Sequence, residues 1–208
     1  TAGFRGMVAG YAGILGHKTA VGCILAGGFA FAGMFAYISG TPFVYIQIFG
    51  VPPEAYGYLF ALNVVSIMGC AVLNAKLVMR IGTVRLMDVG VGLGMAASLA
   101  LLAAALSGAG GLVGIVVPLF FYVGSLGLIG ANAIARASEW FPRQAGATAA
   151  LFGAVQFGLG AIAGFAVGQW YDDTPVPMAV VIAVCGAMTL GSHVWLVRRD
   201  QPASSGER

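Results

Sequence analysis

The sequence predicts an all-α integral membrane protein with six transmembrane helices. Of its 208 residues, 60% are hydrophobic and only 8% are charged, whereas soluble domains carry about 25% charged residues. The mean hydropathy of +0.94 agrees with this class. The few charges lie between apolar stretches long enough to cross a bilayer, which takes about 20 residues in a helix.

The charge-free stretches place the six helices in order along the chain. The longest are residues 19–53 and 89–135, and the latter holds two helices joined by the glycine-rich segment 107–111. Thr41-Pro42 predicts the end or a break of the first helix, because proline removes a backbone donor and clashes with the preceding turn. The predicted helices cover roughly residues 19–41, 56–76, 86–106, 112–135, 144–170 and 176–197.

All ten Lys and Arg residues fall on one side of this topology, here called the basic side. The opposite, acidic side carries only Glu54, Asp172 and Asp173. The positive-inside rule assigns the basic side to the cytoplasm, so both termini are expected there. Ala, Gly, Val and Arg usage is typical of a GC-rich bacterial genome and favours the bacterial inner membrane. The ten cations are Arg5, Lys18, Lys76, Arg80, Arg85, Arg136, Arg143, Arg198, Arg199 and Arg208.

Several function classes are excluded by composition. The cations flank the spans without a basic and aromatic patch, so no nucleic-acid partner is expected. Cys23, Cys70 and Cys185 lie in three different helices without metal-ligand spacing, so neither a metal site nor a disulfide is expected, and no cofactor is implied. An intramembrane protease needs Gly-x-Ser-Gly, and Ser39-Gly40 lacks the first glycine. The protein is therefore not expected to be an enzyme.

Three parts are predicted along the chain. Residues 1–18 form a cytoplasmic connector, in which apolar residues at helical spacing beside Arg5 indicate an interfacial amphipathic helix. Residues 19–197 form the transmembrane domain, and residues 198–208 form a short polar tail. The connector resembles a loop of something longer, so we expect the chain to be a fragment or one half of a molecule.

Uncharged polar residues form stripes on three of the helices, and a fourth carries aromatic residues instead. Such a stripe either lines a wet pathway or hydrogen-bonds to a neighbouring helix, and the spacing leaves both open. The first, second, fourth and fifth helices are expected to face a cavity, and the third and sixth to face lipid. His193 is expected at the interface, and Gly160, Gly164 and Gly168 in helix packing. The stripes are Asn63, Ser66, Cys70 and Asn74; Tyr122, Ser125 and Asn132; and Thr148, Phe152 and Gln156; the first helix offers Phe31, Phe35 and Tyr37.

The loop after the second helix carries a motif. Residues 75–85, AKLVMRIGTVR, resemble the loop signature G-x-L-a-D-R-x-G-r-r of the major facilitator superfamily. The match keeps Arg80, Gly82 and Arg85. It departs at Ala75, which replaces the first glycine, and at Met79, which replaces the acidic residue.

Two longer stretches resemble the Bcr/CflA drug-resistance transporters of that superfamily. Residues 31–44 are similar to that family's seventh helix, and residues 131–157 to its tenth and eleventh helices. The resemblance implies the second, six-helix half, itself a 3+3 repeat, of a twelve-helix proton-driven exporter of drugs or metabolites. The first, second, fourth and fifth helices would then line the cavity. In that family, proton coupling is ascribed to residues of the first six-helix half. The resemblance therefore implies no coupling site in this chain.

These observations lead to one hypothesis about substrate binding. Aromatic faces suit flat apolar or cationic compounds, and a few amides orient them. The wall of a central cavity is therefore predicted to consist of Phe31, Phe35, Tyr37, Asn63, Tyr122 and Gln156.

A second hypothesis concerns a cytoplasmic gate. Lys76, Arg80 and Arg85, around the Gly82 turn, are expected to form ion pairs with Asp88. Arg136 and Arg143 are likewise expected to lie near Glu139. Because single surface pairs contribute only about 0–1 kcal/mol, such a gate needs a network. The alternative is that these cations set topology and contact anionic lipid.

The partners implied are a small-molecule substrate, the lipid bilayer, and either an N-terminal six-helix half or a second copy of the chain. The alternative to a half-exporter is a self-contained six-helix pore or transporter that works as a homodimer. In that case the same polar faces would meet across a two-fold axis.

Overall fold

The computed structural model describes the backbone of residues 4–198 and the side chains of residues 10–198, and this part of the chain is helical without strands. Six helices are long and apolar enough to cross a membrane, which confirms the predicted number. The predicted tail lies outside the described residues apart from Arg198. The helices are α1 Phe4–Gly16, α2 Lys18–Pro42, α3 Pro53–Ile81, α4 Thr83–Ser107, α5 Gly111–Glu139, α6 Ala145–Gln169 and α7 Val176–Ser192.

The first span does not end at Thr41-Pro42. It continues as a π-helical segment, Phe43–Ile48, before the chain turns at Gly50. Proline cannot donate the hydrogen bond that an α-helix requires at its position, and a wider turn accommodates the loss. The last span ends similarly, with the π-helical segment His193–Val197 following α7. The predicted end of the first helix is therefore corrected from residue 41 to residue 48.

A one-residue joint separates α3 from α4. Gly82 has φ +87°, a conformation that side chains with a Cβ rarely adopt, and its N–H donates to the carbonyl of Val78 at 2.9 Å. Both helices consequently run further toward this joint than predicted, to Ile81 and from Thr83. The joint holds the motif cations of residues 75–85 close to the start of α4.

The spans pack in two groups. Four spans form a row, in which α6 packs on α2, α2 on α5, and α5 on α3. The other two spans pack on each other and beside the row, α7 on α2 and α4 on α5. The row consists of the four spans that carry the predicted polar and aromatic stripes. Within it α2 and α5 are the most buried spans, and α3 and α6 are the least buried.

Small residues bring neighbouring helices into close contact. A Cβ on Gly127 of α5 would lie 2.6 Å from the carbonyl oxygen of Ile67 on α3, so the two backbones meet there. On α6, a Cβ on Gly160 would lie 2.9 Å from the Phe35 ring, and Gly164 faces Ser39. The expected helix packing therefore holds for these two glycines, whereas Gly168 faces open space.

Contacts at both ends show that the spans alternate in direction. At one end, Asp88 near the start of α4 pairs with Arg198 after α7. At the other end, the hydroxyl of Tyr171, after α6, donates to the amide oxygen of Gln47, at the end of the first span. The described cations thus share one side. The side chain of Arg5, and Arg199 and Arg208 altogether, lie outside the described residues.

Candidate functional site

Three phenyl rings cluster where α2 meets α6. Phe31 and Phe35, one turn apart on α2, have ring centroids 5.3 Å apart. Phe157 of α6 lies edge-on to both, at 5.7 Å from Phe31 and 6.0 Å from Phe35. The two α2 rings are half-buried, whereas Phe157 is 62% exposed. The cluster therefore presents an accessible aromatic face, with Gly160 giving Phe35 its space.

Gln156 lies next to this aromatic face. It is half-buried, one turn before Gly160 on the side of α6 that faces α2. The buried Phe152, one turn earlier, meets Gly27 of α2. Gln156 is thus a polar group at the edge of an otherwise apolar helix contact, where an amide can orient a ligand.

Tyr37 and Asn63 join α2 to α3 inside the protein. The Asn63 amide nitrogen donates to the Tyr37 hydroxyl at 3.2 Å and to the carbonyl of Leu59 at 3.1 Å. The Tyr37 ring stacks on Phe60, with centroids 5.9 Å apart. Asn63 is only 1% exposed, and its amide oxygen has no hydrogen-bond partner within the described residues. The pair supports the helix contact rather than presenting itself at the surface.

Tyr122 joins α5 to α2 in a similar way. It is 2% exposed, and its hydroxyl donates to the carbonyl of Ala30 at 3.1 Å. A Cβ on Gly33 would overlap this hydroxyl, so the glycine is required for the contact.

The expected wall of six side chains is therefore divided. Phe31, Phe35 and Gln156 are partly exposed. The other three are buried in this structure, with their polar atoms used between helices: Tyr37, Asn63 and Tyr122.

The polar stripe of α3 faces α5. The Ser66 hydroxyl donates to the carbonyl of Phe120 at 2.6 Å. The Asn132 amide donates to the side-chain oxygen of Asn74 at 2.6 Å. Of the two roles that the spacing allows, this stripe performs helix–helix hydrogen bonding at Ser66 and Asn74.

Asp88 has partners other than those expected. It pairs with the imidazole Nε2 of His193 and, at 3.2 Å, with the guanidinium of Arg198. Within residues 10–198 no ion pair joins it to the expected cations, because its partners come from the segment that follows α7 rather than from the α3–α4 joint. Lys76, Arg80 and Arg85 are exposed instead.

His193 is buried inside the protein near the basic end of the last span. It is 2% exposed, and its Nδ1 has no hydrogen-bond partner among the described residues. The sequence shows that it lies near the end of the sixth span, but the facing carboxylate belongs to a helix more than a hundred residues earlier. No helical spacing within one span could have identified this pair.

A second cluster on the basic side surrounds Trp140. Arg136 pairs with Glu139 at 2.6 Å, as expected, and its guanidinium also lies 5.9 Å from the centroid of the Trp140 ring. The His17 imidazole packs on the same Trp140 ring, and its Nδ1 accepts a hydrogen bond from the N–H of Ala20 at the start of α2. The loop after α5 therefore combines charge with aromatic packing.

The described side chains offer no metal site. Within residues 10–198, no three His, Cys, Asp or Glu side chains come together in a group that could hold an ion. The chemistry available at the aromatic face is therefore noncovalent: apolar stacking, attraction of cations to ring faces and one orienting amide.

Phe157 was missed by the sequence reasoning. It follows Gln156 directly and so lies off the stripe of Thr148, Phe152 and Gln156. Its neighbours in the cluster belong to α2, more than a hundred residues earlier. The only available signal was its place at the end of the stretch 131–157 that resembles the transporter family.

Comparison with known proteins identifies relatives that match most of this chain. A bicyclomycin resistance protein homolog of Haemophilus influenzae is 31% identical over 184 residues, covering 88% of this chain and 46% of that protein. An uncharacterized MFS-type transporter, YdgK, of Bacillus subtilis is 32% identical over 171 residues, covering 82% of this chain and 42% of that protein. No family model and no solved structure matches.

The chain thus spans about half the length of the curated relatives it matches. The matched region is the C-terminal half of these proteins, and both are named as transporters or by a resistance phenotype rather than as enzymes. Six membrane-spanning helices are consistent with half of such a fold. The chain belongs to the major facilitator superfamily and corresponds to the C-terminal half of its Bcr/CflA-type transporters.

Proposed function

We propose that this chain forms the second half of an exporter of drugs or other small molecules, and that Phe31, Phe35, Phe157 and Gln156 contact the substrate. The observation that carries the proposal is the partly exposed three-ring cluster at the contact of α2 and α6. Rings grouped in this way bind flat apolar compounds and attract organic cations. The name of the Haemophilus influenzae relative, a bicyclomycin resistance protein homolog, supports drug export.

The three buried residues of the predicted cavity wall act as positioning residues. Tyr37, Asn63 and Tyr122 fix α3 and α5 against α2 through hydrogen bonds. Since α2 carries Phe31 and Phe35, these bonds determine where the aromatic face lies. Removing one of them is expected to change transport through the position of α2, together with stability.

An efflux assay tests the proposed substrate wall, which consists of Phe31, Phe35, Phe157 and Gln156. The protein encoded by its complete gene is expressed in cells lacking their own exporters, and efflux of a panel of aromatic cations is measured. Phe157→Ala is expected to reduce efflux several-fold. Phe165→Ala, a matched control on α6 whose ring is 69% exposed outside the cluster, is expected to leave it unchanged. Unchanged efflux of every compound by Phe157→Ala and by Gln156→Ala would remove the cavity assignment.

Drug:proton antiport is the proposed mode of coupling, with the proton site outside this chain. The described spans hold no carboxylate at mid-membrane depth, since Asp88 lies at the basic end of α4. Efflux is therefore expected to stop when a protonophore collapses the proton gradient. Efflux that persists while ATP is depleted and the proton gradient is absent would contradict drug:proton antiport.

The proposed location is the bacterial inner membrane, with both termini in the cytoplasm. The one-sided distribution of Lys and Arg supports this orientation. A cysteine introduced at Thr174, in the loop between α6 and α7, is expected to react with an impermeant reagent added to intact cells. Labelling only after lysis would indicate the opposite orientation, with this loop in the cytoplasm.

The exposed cations of the α3–α4 joint are proposed to act in a cytoplasmic gate. Lys76, Arg80 and Arg85 surround the Gly82 turn and are exposed, so they are accessible to carboxylates of a partner domain. Asp88 anchors this end of α4 to the segment that follows α7. Arg80→Gln is expected to slow efflux without reducing membrane insertion. Normal efflux by this variant would favour the alternative role in topology and lipid contact.

A partner is proposed to cover α3, the least buried span. Val65, Met68 and Val72 are exposed along it. Either an N-terminal half of the same polypeptide or a second copy of this chain would cover this face. An immunoblot of source-cell membranes distinguishes the two. A band at about twice the 21.1 kDa of this chain supports the twelve-helix exporter, and a band near 21.1 kDa supports the homodimer.

A further inference from the structure

A largely apolar groove lies between α2, α6 and α7. Its volume is about 220 Å³, and the surface of its lining is almost entirely apolar. Ala32 of α2 and Ala163 of α6 are small and buried, and they leave the recess between larger neighbours such as Ile162 and Val184. The recess does not include the rings of Phe31, Phe35 and Phe157, so it is separate from the proposed substrate wall.

The groove has the length of one bilayer leaflet. Along α6 it runs from Leu159, near the middle of the span, to Trp170 at its end. At ~1.5 Å per residue this distance is about 16 Å. Half of the hydrocarbon core is about 15 Å. Trp170 is 62% exposed at the end of the groove, and tryptophan is enriched where the hydrocarbon meets the headgroups.

The end of the groove lies on the acidic side. Asp172 and Asp173 follow Trp170 after one intervening residue, Tyr171, and are exposed. Among the described residues the acidic side carries these two carboxylates and Glu54, and no Lys or Arg. The local charge therefore attracts a cationic group and repels an anionic one.

We propose that this groove binds one acyl chain of a phospholipid from the leaflet on the acidic side, and that the lipid carries an amine-bearing headgroup. The chain lies between Ile162 and Val184, and the ammonium group lies near Asp172 and Asp173. Length, apolar lining and end charge each fit this occupant. The bound chain fills the gap between α6 and α7 and thereby supports the packing of both helices on α2.

The test counts lipids that stay bound. The full-length protein encoded by its gene is reconstituted into vesicles of equal parts phosphatidylethanolamine and phosphatidylglycerol, extracted in mild detergent and measured by native mass spectrometry. The expected result is one retained phosphatidylethanolamine per wild-type protein. Ala166→Phe, which fills the groove beside Trp170, is expected to reduce this occupancy at least fivefold.

Two controls make the result specific. Ala161→Phe places the same ring on an exposed position of α6 outside the groove and is expected to retain the lipid. Asp172→Asn with Asp173→Asn is expected to keep one lipid bound while losing the preference for phosphatidylethanolamine. Thermal unfolding verifies that each variant is folded.

The proposal is overturned if folded wild-type protein retains no lipid, or if Ala166→Phe and Ala161→Phe retain equal amounts. A preference for phosphatidylglycerol in the wild type would also overturn it. If an aromatic efflux substrate displaces the lipid from the wild type and not from Ala166→Phe, the groove is a route for substrate instead. None of these outcomes depends on the substrate wall, so failure here is distinct from failure of the proposed function.

Discussion

The imidazole of His17 lies against the indole of Trp140, with ring centroids 4.5 Å apart. His17 is the single residue between α1 and α2, and Trp140 directly follows α5. Phe141 meets the same imidazole edge-on at 5.8 Å, and Ile14 of α1 is fully buried. The helix of residues 4–16 is therefore docked onto the loop between α5 and α6 at its C-terminal end.

Replacing Trp140 with alanine is expected to weaken this docking. The aromatic contact with His17 contributes about 0.5–1.5 kcal/mol. The Arg136 guanidinium over the ring adds about 0.5–1 kcal/mol. The free energy of unfolding in mixed micelles should fall by about 1–2.5 kcal/mol, and a protease should cut near residues 4–16 sooner. Trp140→Phe should retain most of the stability; equal stability of Trp140→Ala and wild type would contradict the docking.

Adding a side chain at Gly127 is expected to destabilise the protein. A Cβ there would lie 2.6 Å from the Ile67 carbonyl oxygen and 2.8 Å from the Ala71 nitrogen, both of which are backbone atoms. Overpacking of this kind costs about 1–3 kcal/mol. Gly127→Ala should lower the unfolding free energy accordingly. Gly130→Ala is the matched control on the same helix, because nothing lies within 4 Å of its Cβ position.

The control should be neutral or slightly stabilising, since alanine in a helix interior is favoured over glycine by about 0.5–1 kcal/mol. If both alanine variants unfold at the same denaturant concentration, α3 and α5 do not approach each other as closely as described. The comparison thus tests the contact that holds the most exposed span of the row.

Asp88→Asn is expected to destabilise the basic end of α4. The substitution removes the charge that pairs with buried His193 and with Arg198. Loss of a partner of a buried polar group costs about 1–3 kcal/mol. Glu139→Gln, which removes one exposed pair with Arg136, should cost only about 0–1 kcal/mol. Similar unfolding free energies for the two variants would show that the pair of Asp88 with His193 does not stabilise the protein.

The six spans could be predicted because lipid excludes charge. In this chain charges interrupt the apolar stretches or follow them closely, so their positions give the number and direction of the helices. The π-helical continuation after Pro42 could not be predicted in this way, because apolar length does not distinguish α from π winding. The one-residue joint at Gly82 was visible only as a motif.

The faces of the helices were easier to predict than their partners. Helical spacing placed Asn63, Ser66 and Asn74 on one side of α3, and all three are buried there. Spacing within one helix does not say which neighbour that side meets, so a wet pathway and a helix contact remained equivalent. Phe157 and His193 show the same limit, since their neighbours come from distant parts of the chain.

The contact between Asn74 and Asn132 provides a quantitative test of the polar stripe. The Asn132 amide donates to Asn74 at 2.6 Å, and both side chains are buried between α3 and α5. Hydrogen bonds between membrane helices have coupling energies averaging about 0.6 kcal/mol, because the alternative state in the membrane also finds partners. Asn74→Ala, Asn132→Ala and the double variant form a cycle whose coupling energy should be about 0.5–1.5 kcal/mol.

Asn132 also donates to the carbonyl of Leu128 in its own helix. Asn132→Ala should therefore destabilise the protein even when Asn74 is already alanine, and Asn74→Ala should cost less when Asn132 is already alanine. A coupling energy indistinguishable from zero, measured in the same mixed micelles, would mean that the two amides do not bond across the helices. The stripe would then again be a candidate for lining the substrate pathway.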